Sequence, residues 1–454
     1  MNKYYECAKS ELDLFHAHPL DMSNEEGWWA YYTFATNLVN NQGEFTIDIA
    51  ASNDYIDLAS TLLYVKAKIY KTADAFSDQS PVGPVNNFLN SCFKQVTLSS
   101  GTINIENTNI TYPYKAYLLN LLNYSTEAKK TFLSTSLFYK DSNGENMESI
   151  NFQQPKNETN SSTKAGPLNQ GLIDRRNIVI DGKGVVEMLG PLHLDFFHCD
   201  KFLLAKVPLS VKFTKNDDKF ILKGATDHGY KVMFEDVKIR VRHQKVNKSV
   251  MLAHEHALLN KNAIYPINNN IVRIFPINNA SLVVNQVISK SFMPDKIILA
   301  MTEPLSSTGV ENKNPFNFQN FNIESCTLRI DNFEKPYLTT PILNFENNIF
   351  MEGYMSLFDT LNNHSEGNNI TREDWKSGYT IFAFNLQPVV TCAGDYLSSK
   401  RSATISAQLK FTKKSLLADD KGRDISLIAL LIFSSEIEIT KEKNVISSLN
   451  YDII

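Results

Sequence analysis

Alternation of apolar and polar positions dominates this chain and predicts strands along most of its length. From Asp54, the run DYIDLASTLLYVKAKIY sets Leu63, Val65, Ala67 and Ile69 on one face and Tyr64, Lys66 and Lys68 on the other. That is the period of a half-buried strand. Within Gly190 to Asp217, Leu209, Val211 and Phe213 alternate with Ser210, Lys212 and Thr214, and the stretch reads as two strands meeting at a turn. Val237, Ile239 and Val241 then alternate with Lys238, Arg240 and Arg242. Short strands are expected at 271–277, 281–288, 296–301, 325–330, 380–386, 403–411, 425–433 and 436–439, each bounded by turn residues.

Helical spacing is sparse. Tyr114, Tyr117, Leu118, Leu121 and Leu122 form one helical face, and Ser125 or Thr126 is placed to cap a short helix after it. One or two turns fit 249–259, and Thr371 with Asp374 marks a capped turn before Trp375. Frequent strands with few helices between them indicate antiparallel sandwiches and not a parallel α/β sheet. The fold class expected is all-β, with two sandwiches. The polar stretch 141–170 lacks apolar periodicity and reads as a long exposed loop; 303–316 is expected to project as well. The division expected is an N-terminal arm at 1–40, a first sandwich at 41–224, and a second with a C-terminal tail at 225–454.

Composition narrows the class. The 454 residues suffice for two cores, and 28 Phe and 19 Tyr favour strands over helices. A net charge of −4 argues against a protein built to neutralise phosphates. Cys7, Cys92, Cys199, Cys326 and Cys392 are odd in number and scattered, so they read as free thiols of a reducing compartment. The opening MNKYYECAKSELDLF has no apolar core of a signal peptide, and the sequons at Asn157 and Asn369 are discounted accordingly. The most apolar run, Ile425 to Phe433, is too short to span a bilayer.

Two clusters raise metal chemistry. His193, Asp195, His198, Cys199 and Asp200 crowd together, but the histidines are five apart and share a face of neither helix nor strand. His254-Glu255-His256 begins like a zinc-protease motif, yet Leu258 stands where its second histidine must be. No catalytic, cofactor-binding or metal-ligating residue is therefore expected, and the chain reads as a non-enzyme. The basic row Lys238/Arg240/Arg242, extended by His243, Lys245 and Lys248, lacks interleaved exposed aromatics. A subunit-contacting or solvated face accounts for it better than nucleic acid.

One resemblance adds to this reading. ELDLF at 11–15, DYIDL and LLYVKAKI within 54–69, PVGPVNNFLNSCFKQV at 81–96 and YPYKAYLLNLLNYSTEAKK at 112–130 form an ordered series. GPLHLDFF at 190–197, VMLAHEHAL at 250–258, KNPFNFQNFNI at 313–323 and NFENNIFMEGYMSLF at 344–358 extend it. NNITREDWKSGYTIFAFNL at 368–386 and EIEITKEKNV at 436–445 complete it. In their order and spacing they resemble the major capsid (hexon-type) proteins of Polinton/Maverick elements and adintoviruses. The resemblance implies a double jelly roll, two tandem eight-stranded antiparallel sandwiches. It implies a homotrimer forming a pseudo-hexameric capsomer, with capsomers tiling an icosahedral shell around double-stranded DNA. Its implied partners are neighbouring capsomers and penton or minor capsid proteins, with at most non-specific contact with packaged DNA and no stable membrane insertion. The place implied is the virion, after synthesis in the host cytoplasm and assembly there or in the nucleus. The chain departs from the family pattern in the lengthened 141–170 stretch and in a tail beyond Val445. Three alternatives stand beside it: a cupin-like metal-dependent enzyme built on His254 and His256, a glycan-binding lectin, and a single-roll vertex (penton) protein.

Overall fold

The computed structural model describes residues 20–34, 43–71, 76–77, 80–152, 167–277, 282–290, 292–331, 333–336, 340–364, 367–388, 401–412 and 424–447. The strands of the first half are β1 (Asn24–Thr33), β2 (Glu44–Ile49), β3 (Tyr55–Tyr70), β4 (Val82–Pro84) and β5 (Phe93–Ser100). They continue with β6 (Ile103–Asn107), β7 (Val185–Pro191), β8 (Leu209–Lys215), β9 (Leu222–Gly224) and β10 (Lys231–Val246). The second half carries β11 (Ala263–Ile277), β12 (Val283–Ser289), β13 (Lys296–Thr302), β14 (Ile323–Ile330) and β15 (Phe333–Lys335). It ends with β16 (Ile381–Asn385), β17 (Ile405–Phe411), β18 (Ile425–Ile439) and β19 (Val445–Ser447).

Hydrogen bonding sorts these strands into the same pattern twice. In the first half one sheet runs β1-β10-β3-β7 and the other β2-β8-β5-β6. In the second half the sheets run β11-β18-β13-β16 and β12-β17-β14-β15, with β19 added beside β18. All named pairs are antiparallel. If the eight principal strands of each half are counted in chain order, both halves have sheets 1-8-3-6 and 2-7-4-5. That is the jelly-roll topology, so the chain is a double jelly roll.

Alternation is what makes these strands. In β3 the buried positions Leu63, Val65, Ala67 and Ile69 are at most 1% exposed, and the polar positions between them face outward. Val237, Ile239 and Val241 of β10 are wholly buried in the same sandwich. β18 is different: Ile425 to Leu431 are all buried, because its neighbours cover both faces over that length.

Four expectations need correction. β10 pairs with β1 and β3, which carries the first roll to Val246 and past the boundary expected at 224/225. The expected arm contains β1, an edge strand of that roll, while residues 1–19 with ELDLF lie outside the described residues. The strands of 190–217 belong to opposite sheets, β7 in one and β8 in the other, so the segment between them crosses the sandwich. Finally, 425–433 and 436–439 are one strand, because Ser434 pairs across from Asn268 and donates through its backbone N–H to Asp295 Oδ2 at 2.7 Å.

The helices are α1 (Phe88–Ser91), α2 (Tyr112–Asn123), α3 (Thr126–Lys130), α4 (Gln170–Asp181) and α5 (Asp218–Ile221) in the first half. α6 (Lys248–Ala257) links the rolls, and α7 (Pro304–Thr308), α8 (Met351–Leu361) and α9 (Arg372–Lys376) follow. Every one except α6 lies in a connection between strands of a single roll. The anticipated caps are present: Ser125 accepts the Ala128 N–H at the start of α3, and Thr371 with Asp374 forms a capping box on α9.

Candidate functional site

The connections β3–β5, β6–β7 and β8–β10 leave the first roll at one end, and the same end of the second roll sends out β13–β14 and β15–β16. These excursions fuse into one layer across both rolls. β4 and β9, from different connections, pair within it. At its centre lies α2, buried on all sides up to Leu122 and started by Pro113 in its first turn.

Aromatic stacking joins α2 to the second roll. The Tyr117 ring lies 4.0 Å from that of Phe316 at an interplanar angle of 7°, and Phe318 meets it edge-on at 6.0 Å. Tyr114 contacts Phe316 and Phe220 edge-on. Phe316 and Phe318 belong to the segment after α7, so the stretch 303–316 expected to project ends inside the hub.

Buried ion pairs do the same work in three places. Lys115 of α2 lies 2.7 Å from Glu106 Oε1 and 2.8 Å from Asp195 Oδ2, all three side chains at most 6% exposed. Asp195 then accepts the backbone N–H and the side-chain amide of Asn270 on β11, each at 2.7 Å, which ties the triad to the second roll. Burial, reinforced by the neighbouring Asp195, pushes the Glu106 carboxyl up to about 7, against the pull of Lys115. Burial works against the Lys115 ammonium, but Asp195 and Glu106 outweigh it and raise its pKa.

The second place centres on Asp141. Its Oδ1 accepts from Arg175 Nη2 at 2.7 Å and its Oδ2 from Asn314 at 3.0 Å, while its carbonyl accepts the Tyr379 hydroxyl at 2.8 Å. Arg175 also donates to the carbonyls of Pro84 and Tyr139. Glu148, a short way along, accepts from Lys223, from the Asn314 N–H and from the Asn317 amide at 3.0, 2.8 and 2.7 Å. In the third place Lys140 pairs with Asp374 and donates to the Asn369 carbonyl, and Asn143 also donates to Asp374. Lys129 donates to the carbonyls of Leu121 and Asn368, and burial lowers its pKa to about 7.

The described part of 141–170 is thus a fastening and not an exposed loop. Asp141, Asn143, Met147 and Glu148 reach guanidinium, carboxylate and amide partners instead of water, while 153–166 lie outside the described residues. A third signal missed from sequence is a ladder of buried asparagines. Asn87, at φ 53°, accepts from Asn90 and Asn120, and Asn90 accepts the Tyr112 hydroxyl. These residues are the asparagines of PVNNFLN and YLLN; Asn tolerates the left-handed backbone that position 87 requires.

The residues weighed for metal chemistry are dispersed. Asp195 is committed to Lys115 and Asn270, Cys199 is buried as a free thiol, and Asp200 is exposed. His193 is 1% exposed and neither ring nitrogen has a partner, and its ring centre is 5.6 Å from that of His198. His254 and His256 stand on α6, which buries none of its residues, and His254 Nδ1 meets the Tyr55 hydroxyl at 3.0 Å. No group of three or more metal-ligating side chains occurs among the described residues.

Known proteins show the same architecture. No protein-family model matches the chain. An uncharacterised protein of Caenorhabditis elegans is 25% identical over 382 residues, covering 80% of this chain and 84% of its own length. A chain of the Sputnik virophage cryo-EM structure superposes with a TM-score of 0.61 at 11% identity, covering 100% of this chain and 96% of that one. The Faustovirus major capsid protein gives 0.56 at 9% identity, over 94% and 92% of the two chains. The mavirus major capsid protein gives 0.53 at 12%, over 99% and 96%. The double jelly roll of this chain is, over nearly its whole length, similar in fold to those of viral major capsid proteins.

Proposed function

We propose that this chain is a structural capsid subunit of the Polinton/Maverick and adintovirus kind, and not an enzyme. Three copies close into a pseudo-hexameric capsomer, and capsomers tile an icosahedral shell around double-stranded DNA. The observation that carries this reading is duplication within one fastened chain: two rolls of identical topology, joined at one end by buried ion pairs and ring stacking. Three such units place six equivalent rolls around an axis. Each copy presents two different faces to its neighbours, a heterologous contact that closes into a ring of three when each copy is turned by a third of a revolution from the last. The likeness of fold to viral capsid proteins supports the reading, and a nematode relative fits a capsid gene carried in animal DNA.

The outer face of β1-β10-β3-β7 is the contact surface we assign. The basic row lies on β10, an inner strand, and aromatics from neighbouring strands complete it. Trp29 is 40% exposed with Arg240 4.2 Å and Arg242 5.2 Å over its ring, Tyr31 is 57% exposed, and Lys238 lies over Tyr64. Tryptophan, tyrosine and arginine are the residues that dominate binding energy at protein interfaces. Around them Lys66 pairs with Glu235, Lys238 with Asp236, and Lys245 with Glu25. Lys238 and Lys245 of the row are thereby matched and Arg240 and Arg242 lie over Trp29, which favours a protein neighbour over phosphate and leaves non-specific contact with packaged DNA at most. The two rolls divide within α6, and the other partners are neighbouring capsomers and penton or minor capsid proteins of the virion.

A cupin-like enzyme would need its histidines on a strand facing the sandwich interior, whereas His254 and His256 are on a surface helix. Electron microscopy of the purified chain tests the proposal. Capsomers of pseudo-hexagonal outline, or shells built from them, are expected; particles the size of one chain under all conditions of concentration and partner protein would overturn it.

A further inference from the structure

The repeat that makes the two rolls alike carries a template for the contact between chains. Within the chain, β6, the fifth principal strand of the first roll, and the segment that follows it meet the β11-β18 sheet of the second roll. β6 stands beside β19, and the turn Asn109–Thr111 and α2 stand against β11. There the Thr111 hydroxyl donates to the Val272 carbonyl at 3.3 Å, and Asp195 accepts from Asn270. Asn270 lies across from Ile432 of β18, and Tyr31 of β1 holds the corresponding place across from Arg240 of β10.

Among the described residues, the surfaces that match these by topology stand open. β15 is the fifth principal strand of the second roll, and α8 follows it as α2 follows β6. Glu106 of β6 is buried against Lys115, whereas Phe333 of β15 is 72% exposed and Ile342, beyond it, 71%. The Leu343 N–H donates to the Glu324 carbonyl of β14 at 2.7 Å and Thr340 meets Thr327, so 340–343 prolong the edge that β15 begins. Met351 and Met355 of α8 are exposed too. Large apolar side chains gathered at an open strand edge mark a place of association. Charge agrees, since 333–355 carries Glu334, Glu346 and Glu352 against the single cation Lys335, and the β1-β10 face presents Arg240 and Arg242.

We propose that the β15 edge and the exposed face of α8 are received by the β1-β10 face of the next copy, around Trp29, Tyr31 and Arg240. The contact inside the chain is thereby repeated between chains. This inference rests on the capsid reading and names the partner of the face assigned there. Contacts within and between chains are then of one kind, the condition for six rolls to stand at equal turns around an axis when three chains are present.

The test compares full-length wild type, a Phe333→Asp/Ile342→Asp edge variant and a Trp29→Ala/Arg240→Ala face variant by light scattering, with the melting temperature of each as a check on folding. Both variants should run at one chain mass where the wild type is a trimer, and Phe333→Ser/Ile342→Ser serves if the aspartates unfold the chain. Mixed in equal amounts, the two variants should form a species of twice the 51.4 kDa chain mass, because one keeps its face and the other its edge. An edge variant that stays trimeric, or a mixture that holds only single chains, would overturn the proposal and leave the capsomer standing. So would an edge variant that pairs with itself, because a face would then meet a second face. A wild type of one chain mass would instead overturn the capsid reading beneath it.

Discussion

The buried triad and its histidine neighbour give opposite dependences on pH. The Glu106 carboxyl is raised by burial, so its contribution to stability is full below 4.5 and is lost as pH rises through about 7. Burial, with His198 and Lys115 adding to it, holds His193 well below 6.5, so its contribution is present above 6.5 and lost as pH falls. Between 4.5 and 6.5 the two slopes oppose each other. Glu106→Gln should therefore make the melting temperature climb more steeply with pH across that window than in the wild type. His193→Leu, which also removes two unpartnered ring nitrogens, should raise the melting temperature below 6.5 relative to the wild type. Wild-type profiles in both variants would show that neither group titrates as assigned. Asp141→Ala strands Arg175 in the interior and should cost about 3–5 kcal/mol in denaturant unfolding. Little of this was legible from sequence. A cluster of His, Asp and Cys looks alike whether it binds metal or fastens a core, and the partner that decides, Lys115, lies 80 residues away.

Among the elements, strands were readable and the fused layer was not. β3, β8, β10 and β17 bury one face each, and that contrast is written into alternate residues. α2 was found from its apolar spacing, but being buried all round it offered no polar face to say what it packs against. The 141–152 stretch misled because asparagine, aspartate and glutamate read as solvent-exposed until their partners on 314, 317 and 374 are known. The boundary at 224/225 failed for a related reason: periodicity identifies β10 as a strand without naming the sheet that takes it. Two changes probe the layer. A Cβ on Gly171 would lie 2.4 Å from the Lys140 carbonyl oxygen, an atom of the backbone, so Gly171→Ala should destabilise by about 1–3 kcal/mol. Asn314→Ala removes donors to Asp141 from the second roll, and calorimetry should then resolve two unfolding transitions in place of one. A single transition at unchanged temperature would mean that the remaining ties, Asp195 to Asn270, Lys140 to Asp374, Glu148 to Asn317 and the ring stack, suffice to couple the rolls.

At the scale of the molecule, one chain holds two equivalent sandwiches in fixed relation and turns an aromatic and basic face outward. The end-to-end order of the resembling segments pointed to this architecture, and several of those segments are the ones that build the fused layer: 81–96, 112–130, 313–323 and 368–386, with 190–197 tied to α2 through Asp195. The assembly itself is a property of surfaces, and a Trp29→Ala/Arg240→Ala variant should weaken subunit association while leaving the melting temperature of the single chain within a few degrees. The most direct measurement is the solution mass of the purified wild-type chain by light scattering after size exclusion. From a chain of 51.4 kDa, a closed trimer of about 154 kDa is expected, unchanged on moderate dilution. A species of one chain mass that persists at high concentration would contradict the capsomer account.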